Sequence, residues 1–185
     1  MNVPPAMLRT VFALACLVAW GCTGDEPVAA PGPDAFPGSA ASLDDLGEQA
    51  ITAFAAGDTA RLVALRLSEV EHNEVVFPEL PAGRPEVGYP VDLAWENIVL
   101  RNDRDVLRQF RWFGERESVH HLATECTGET QSFETFVVHT GCAVRFEDAD
   151  EGVLEVVLFE DVLERDGGFK VFRFYDHTPQ RLGAS

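Results

Sequence analysis

Residues 132–176 alternate apolar and polar side chains for so long that a sheet must form there, and the rest of the chain must cover it. Phe136, Val138, Cys142, Val144 and Phe146 fall on alternate positions, the period of a strand with one buried face. Residues 147–152 make a polar break. Two further strand runs follow at 153–163 and 169–175, joined by Asp166-Gly167-Gly168, residues that tolerate positive φ. A three-residue loop there sets Glu164 opposite Lys170, Asp161 opposite Arg173, Leu163 opposite Val171 and Phe159 opposite Tyr175. Two charge pairs and two apolar contacts then agree on one register.

The residues before this sheet read as helices. Ser42 is a good N-cap with Asp45 three residues on, Leu43, Leu46, Ala50 and Phe54 recur at helical spacing, and Gly57 closes the element. Asp58 caps a second helix through Leu62 and Leu65 to about Val70 or Val75, with Arg61, Arg66, Glu69 and His72 as its polar face. Pro78, Pro81, Pro85 and Pro90, with Gly83 and Gly88 between them, mark a loop. Val91, Trp95, Ile98 and Val99 form a third stripe. Asn102 or Asp103 restarts a helix carrying Val106, Leu107, Phe110 and Phe113, ended by Gly114, and residues 119–126 supply a fourth strand. Helices first and about four antiparallel strands last is the order of an α+β domain with helices packed on one face of the sheet.

Phe54-Ala55-Ala56-Gly57-Asp58, set between two amphipathic helices and ahead of a third helix and a sheet, resembles the opening of NTF2-like (SnoaL-like) domains. The resemblance spans residues 42–177. It implies a cone in which a curved sheet wraps a long helix around a pocket. Similar domains include isomerases, cyclases and dehydratases as well as members that only bind, so the fold alone names no reaction.

The first residues point to the cell envelope. Arg9 is the only charge in a leader whose residues 10–20 are apolar, too short a run to span a bilayer and suited to a signal peptide. Ala19-Trp20-Gly21-Cys22 resembles the lipobox of bacterial lipoproteins, which implies a signal peptide over 1–21 and a lipid such as palmitate on Cys22. Cleavage after Val28-Ala29-Ala30 is the secretory alternative. Residues 22–40 carry Pro27, Pro31, Pro33 and Pro37 without an apolar period, as an extended tether does, which leaves a domain over 41–180. Thr23, in place of an Asp, favours the outer membrane over the inner. The partner expected at this end is the membrane.

Charge narrows the partners further. Against 31 acidic residues stand 14 basic ones, a net −17, and Lys170 is the sole lysine. Such a domain repels phosphate backbones, so nucleic acid is not an expected partner. Cys16 leaves with the leader, which leaves Cys126 and Cys142 as an expected disulfide in an oxidising compartment. The spacing conflicts with that pairing. A tight turn at 127–131 carries Cys142 about 33 Å along its strand from Cys126, so the bridge needs a wider loop or a strand bent back at Gly141.

Metal-ligand spacing is missing. His120 and His121 are adjacent and point to opposite faces of a strand, His72 has no second histidine four residues on, and His139 and His177 stand alone. Asp148-Ala149-Asp150-Glu151-Gly152 fails as a calcium loop, because Val153 stands where glycine is needed and Phe159 where the bidentate acid is needed. No phosphate loop, nucleophile elbow or dinucleotide fingerprint occurs, and neither cofactor nor metal is expected. Asp161 and Tyr175, on one face of the hairpin in the expected register, are the candidate acid–base pair. A carboxylate beside a tyrosine in an apolar pocket suits isomerase chemistry, whereas Arg173 opposite Asp161 suits a structural ion pair.

The sequence therefore leads to an envelope lipoprotein whose single domain binds a small apolar ligand or an envelope protein without catalysis. The rival is an acid–base isomerase or cyclase, and the third reading is a structural domain. An open cavity lined with acid–base groups favours the enzyme, one lined with Phe, Leu and Val favours binding, and a filled cone favours structure.

Overall fold

The computed structural model describes residues 29–114, 116 and 119–183. The leader, Cys16, Cys22 and Thr23 lie outside the described residues. Within them the chain is an α+β domain whose helices precede a six-stranded antiparallel sheet.

Helix α1, Leu43–Ala56, starts and stops where its sequence says. The Ser42 hydroxyl accepts from the Asp45 amide, and Gly57 closes the helix in the left-handed region at φ 66°. Leu46, Ala50 and Phe54 are fully buried, as their spacing requires. Helix α2, Thr59–Ala64, is capped by Asp58 but stops much sooner than its sequence suggests. The backbone at Leu65 and Leu67 turns aside to bond Val171, accepting from its amide at 2.9 Å and donating to its carbonyl at 3.1 Å. A new turn, α3 at Glu69–Glu71, then opens on a capping box between Ser68 and Glu71 and runs into a π-helical turn, His72–Val76. His72 is completely buried and not part of a polar face. The π turn holds one residue more than a regular helical turn, which re-aims the side chains around it.

Helix α4, Val91–Phe113, is one unbroken element of 23 residues. Asn102 does not restart it. Its buried side-chain amide instead donates to the Phe172 carbonyl at 3.1 Å and accepts from the Phe174 amide at 2.8 Å. Gln109 likewise donates to the carbonyls of Tyr175 and His177. These contacts explain how an edge strand survives. Strand β5, Gly168–Phe174, would expose a row of unpaired amides and carbonyls, and Ala40, Leu65, Leu67 and Asn102 bond that row.

The other strands are β1, Val119–Cys126; β2, Thr130–Ser132; β3, Val137–Asp148; β4, Gly152–Arg165; and β6, Gln180–Arg181. The sheet order is β1-β3-β4-β5, with β2 paired to β3 and β6 to β4. The alternating residues Phe136, Val138, Cys142, Val144 and Phe146 are all buried. The hairpin register is off by one near its turn. Asp166 and Gly167 both take positive φ, 47° and 72°, in a two-residue turn that pairs Arg165 with Gly168 and Leu163 with Lys170. Irregularities between Phe159 and Val162 restore the expected Asp161–Arg173 pairing, and Phe159 meets Phe174, not Tyr175.

The cysteine conflict dissolves for a related reason. The chain reverses at 133–136, where the Phe133 amide donates to the Phe136 carbonyl at 2.8 Å, and not at 127–131. Both β1 and β2 therefore lie along β3, Cys126 faces Cys142 in register, and the two are bridged.

Folded structure also begins earlier than residue 41. Phe36 is 2% exposed and packs in a second apolar cluster with Leu67, Val76, Leu163 and Phe172, and Ala40 bridges Phe169. Burying a phenylalanine contributes about 2–3 kcal/mol, ample reason for a proline-rich segment to settle. Gly168 lies directly beneath this segment, where an added Cβ would fall 2.2 Å from the Ser39 hydroxyl.

Candidate functional site

The space between the helices and the sheet is filled. Phe54, Phe113, Phe146, Phe159 and Phe174 are each buried, and the ring of Phe54 lies 5.2 Å from that of Phe113 and 5.8 Å from that of Phe174. The apolar concavity lies on the outside, between α2 and α4. Because α2 is held down by the backbone bonds to β5, its outer side and α4 enclose a groove of about 250 Å³. Leu62 forms the floor at 1% exposure, and Val106 and Phe110 form the wall. Val63 and Leu107, 55% and 65% exposed, are the lips. Arg66 and Asp103 close one end with an ion pair of 2.8 Å. The groove offers apolar surface and a mutually neutralised charge pair, and that combination suits binding, not proton transfer.

Asp161 and Tyr175, the acid–base candidates from the sequence, each make other contacts. Asp161, 6% exposed, accepts from Arg173 Nε, and the same guanidinium reaches Glu160 at 3.2 Å. Tyr175 sits beyond the hairpin's paired residues with its ring 4.1 Å from that of His177. Asp161 therefore serves an ion pair, and Tyr175 serves an aromatic contact near the carbonyls bound by Gln109.

The sequence reading missed a buried polar cluster. Lys170, 4% exposed, donates from Nζ to both carboxylate oxygens of Glu71, at 2.8 and 2.9 Å. Glu71 also accepts from the Ser68 amide at 2.7 Å. The one lysine of the chain is thus spent inside the domain, not on Glu164, which contacts His139 at 2.8 Å. The signal was present as Ser68-x-x-Glu71, a literal capping box. Next to Glu71, the His72 ring lies among Trp95, Phe77 and Phe172, with centroids 5.4, 5.6 and 6.3 Å away. Its Nδ1 meets Asn73 at 2.6 Å, while Nε2 has no partner among the described residues.

Burial pulls the His72 pKa below its ordinary 6.5, against the opposing pull of the Asn73 hydrogen bond and the Glu69 charge. The sign of the consequence follows from linkage. Below pH 6.5 the unfolded chain binds a proton that the folded one refuses, so this contribution is complete above pH 6.5 and is lost as pH falls towards the lowered value. The loss approaches about 1.4 kcal/mol per pH unit within that window. His72→Phe is expected to flatten the acid side of the stability profile below pH 6.5, measured by urea unfolding; an unchanged slope would contradict the lowered pKa.

The remaining candidates have structural places. His121 bonds the Thr124 hydroxyl at 2.8 Å, His120 is exposed at the strand surface, and among the described residues no three His, Cys, Asp or Glu side chains converge as metal ligands. Asp148 anchors the β3–β4 turn, accepting from the amides of Asp150 and Glu151 at 3.0 and 2.9 Å, and Arg116 covers it while lying 4.2 Å over the Trp112 ring. No helix among the described residues is long and apolar enough to cross a membrane. Comparison with protein-family models, with curated proteins and with solved structures found no match to this chain.

Proposed function

We propose that the chain is a lipid-anchored envelope protein whose single α+β domain, of the NTF2-like type, binds a small apolar ligand in the α2–α4 groove and performs no chemistry. The observation that carries this reading is the groove itself, with a Leu62 floor, Val63 and Leu107 lips, and its only charges paired with each other. Its volume, about 250 Å³, lies just below the usual range for ligand sites of about 300–1,000 Å³, which fits a single alkyl chain or a compact ring. The aromatic packing of the cone moves the binding surface outward from the place an NTF2-like pocket occupies, and the ion pair at Asp161 weighs against the isomerase alternative.

Titration with n-octanol, followed by the methyl signals of Leu62 and Leu107, is expected to shift both. Val63→Glu is expected to abolish the shifts without loss of stability, because Val63 is 55% exposed. Saturable shifts that survive this substitution would place the ligand elsewhere. The anchor is tested separately: Cys22→Ala is expected to move the protein from the membrane fraction to the soluble one, and continued membrane attachment would contradict the lipid site. With folded structure reaching back past Phe36, the span left to separate domain from bilayer is about half the one expected from the sequence.

A further inference from the structure

We propose that the outer face of α4 pairs two copies of this chain, side by side and in parallel, around a two-fold axis running along the helix. Leu93, Leu100 and Leu107 stand seven residues apart on this 23-residue helix and are 48%, 68% and 65% exposed. Seven residues return a side chain to the same face within about 20°, so the three form one stripe. Asn102 and Gln109, which hold β5, lie on the opposite side, so the stripe faces directly away from the domain. Scattered surface leucines need no explanation, but three in heptad register do.

The flanking residues specify the occupant. With the leucines in the d positions of a heptad, Asn97 falls at a, Glu96 and Asp103 at g, and Arg101 and Arg108 at e. Asparagine at a favours a parallel two-stranded seam. One flank of the stripe is acidic and the other basic. A parallel two-fold brings Glu96 against Arg101 of the second copy and Asp103 against Arg108, so the surface complements itself. An antiparallel pair instead sets acid beside acid and base beside base. Asp103 and Arg108 contact Arg66 and Asp176 within the chain, yet both stay more than half exposed, at 57% and 51%, and remain open to the seam. Arg104, at the other central a position, is tied back to its own Asp105 at 2.7 Å. The pairing shares Leu107 and Asp103 with the groove and needs neither a ligand nor an anchor.

The full chain, purified in detergent, is expected to sediment as a dimer. Leu100→Glu is expected to weaken that dimer at least about tenfold. Glu96→Arg is expected to weaken it too, and adding Arg101→Glu is expected to restore it. Orientation is read by mild oxidation: Leu93→Cys is expected to cross-link with itself, because Leu93 faces its own copy in the parallel arrangement and Leu107 in an antiparallel one centred on Leu100. A wild-type chain that stays monomeric up to about 100 μM, a dimer indifferent to Leu100→Glu, or a Leu93→Cys variant that cross-links only with Leu107→Cys would each overturn the proposal.

Discussion

Lys170→Met is expected to lower the unfolding free energy by about 3–5 kcal/mol. The side chain is of similar length, so little volume is lost. What the substitution leaves behind is the Glu71 carboxylate, 10% exposed, with its counter-ion gone. A buried charge without a partner costs far more than the pair contributes, which is why the loss comes from breaking the pair and not from lacking it. For a domain of this size, the drop in melting temperature is about 10 °C. Replacing both partners, Glu71→Leu with Lys170→Met, is expected to recover most of the loss. About 1 kcal/mol stays missing, because Glu71 also caps the Ser68 amide. Thermal and urea unfolding of the three variants decides this. A loss under about 1 kcal/mol for Lys170→Met would mean that Glu71 reaches water and the pair is a surface one.

Removing the Cys126–Cys142 bridge is the second large effect. Changing both cysteines to serine is expected to cost about 3 kcal/mol, the chain-entropy value for a loop of this length, whose ends are 16 residues apart. The bridge joins residues that already face each other across β1 and β3, so the native fold should survive its loss with a lower unfolding midpoint. Thiol titration of the denatured mature chain is expected to find neither cysteine free. Two reactive thiols, or an unfolding midpoint unmoved by reducing agent, would contradict the bridge.

The elements with a strict local period are legible in the sequence alone. The alternation along β3 named its buried face, and Ser42, Gly57 and Asp58 marked helix ends that the structure keeps. What was illegible came from contacts distant in sequence. Nothing local stops α2 at Ala64; the backbone bonds to Val171 do. Asn102 looks like a helix start by residue type, yet its amide is used on β5, 70 residues away. The one-residue register error arose from counting Gly168 into the turn. Asp166-Gly167 alone satisfies a two-residue hairpin, and that shift turned Lys170 away from Glu164 to meet Glu71. Phe36 was the missed sign in the supposed tether, a lone aromatic among prolines that goes into the second apolar cluster. The α2–α4 groove was hidden for the same reason as the end of α2. Its residues are ordinary members of two amphipathic stripes until the shortened helix leaves Val63 and Leu107 uncovered.

The central claim is that this domain holds an apolar ligand in that groove. Native mass spectrometry of the chain from residue 29 onward, exported and purified gently, measures it most directly. Extra mass that leaves on denaturation is expected, and it should be absent from Val63→Glu prepared in the same way. A bare mass for the wild type, with n-octanol causing no shift at Leu62 or Leu107, would contradict it.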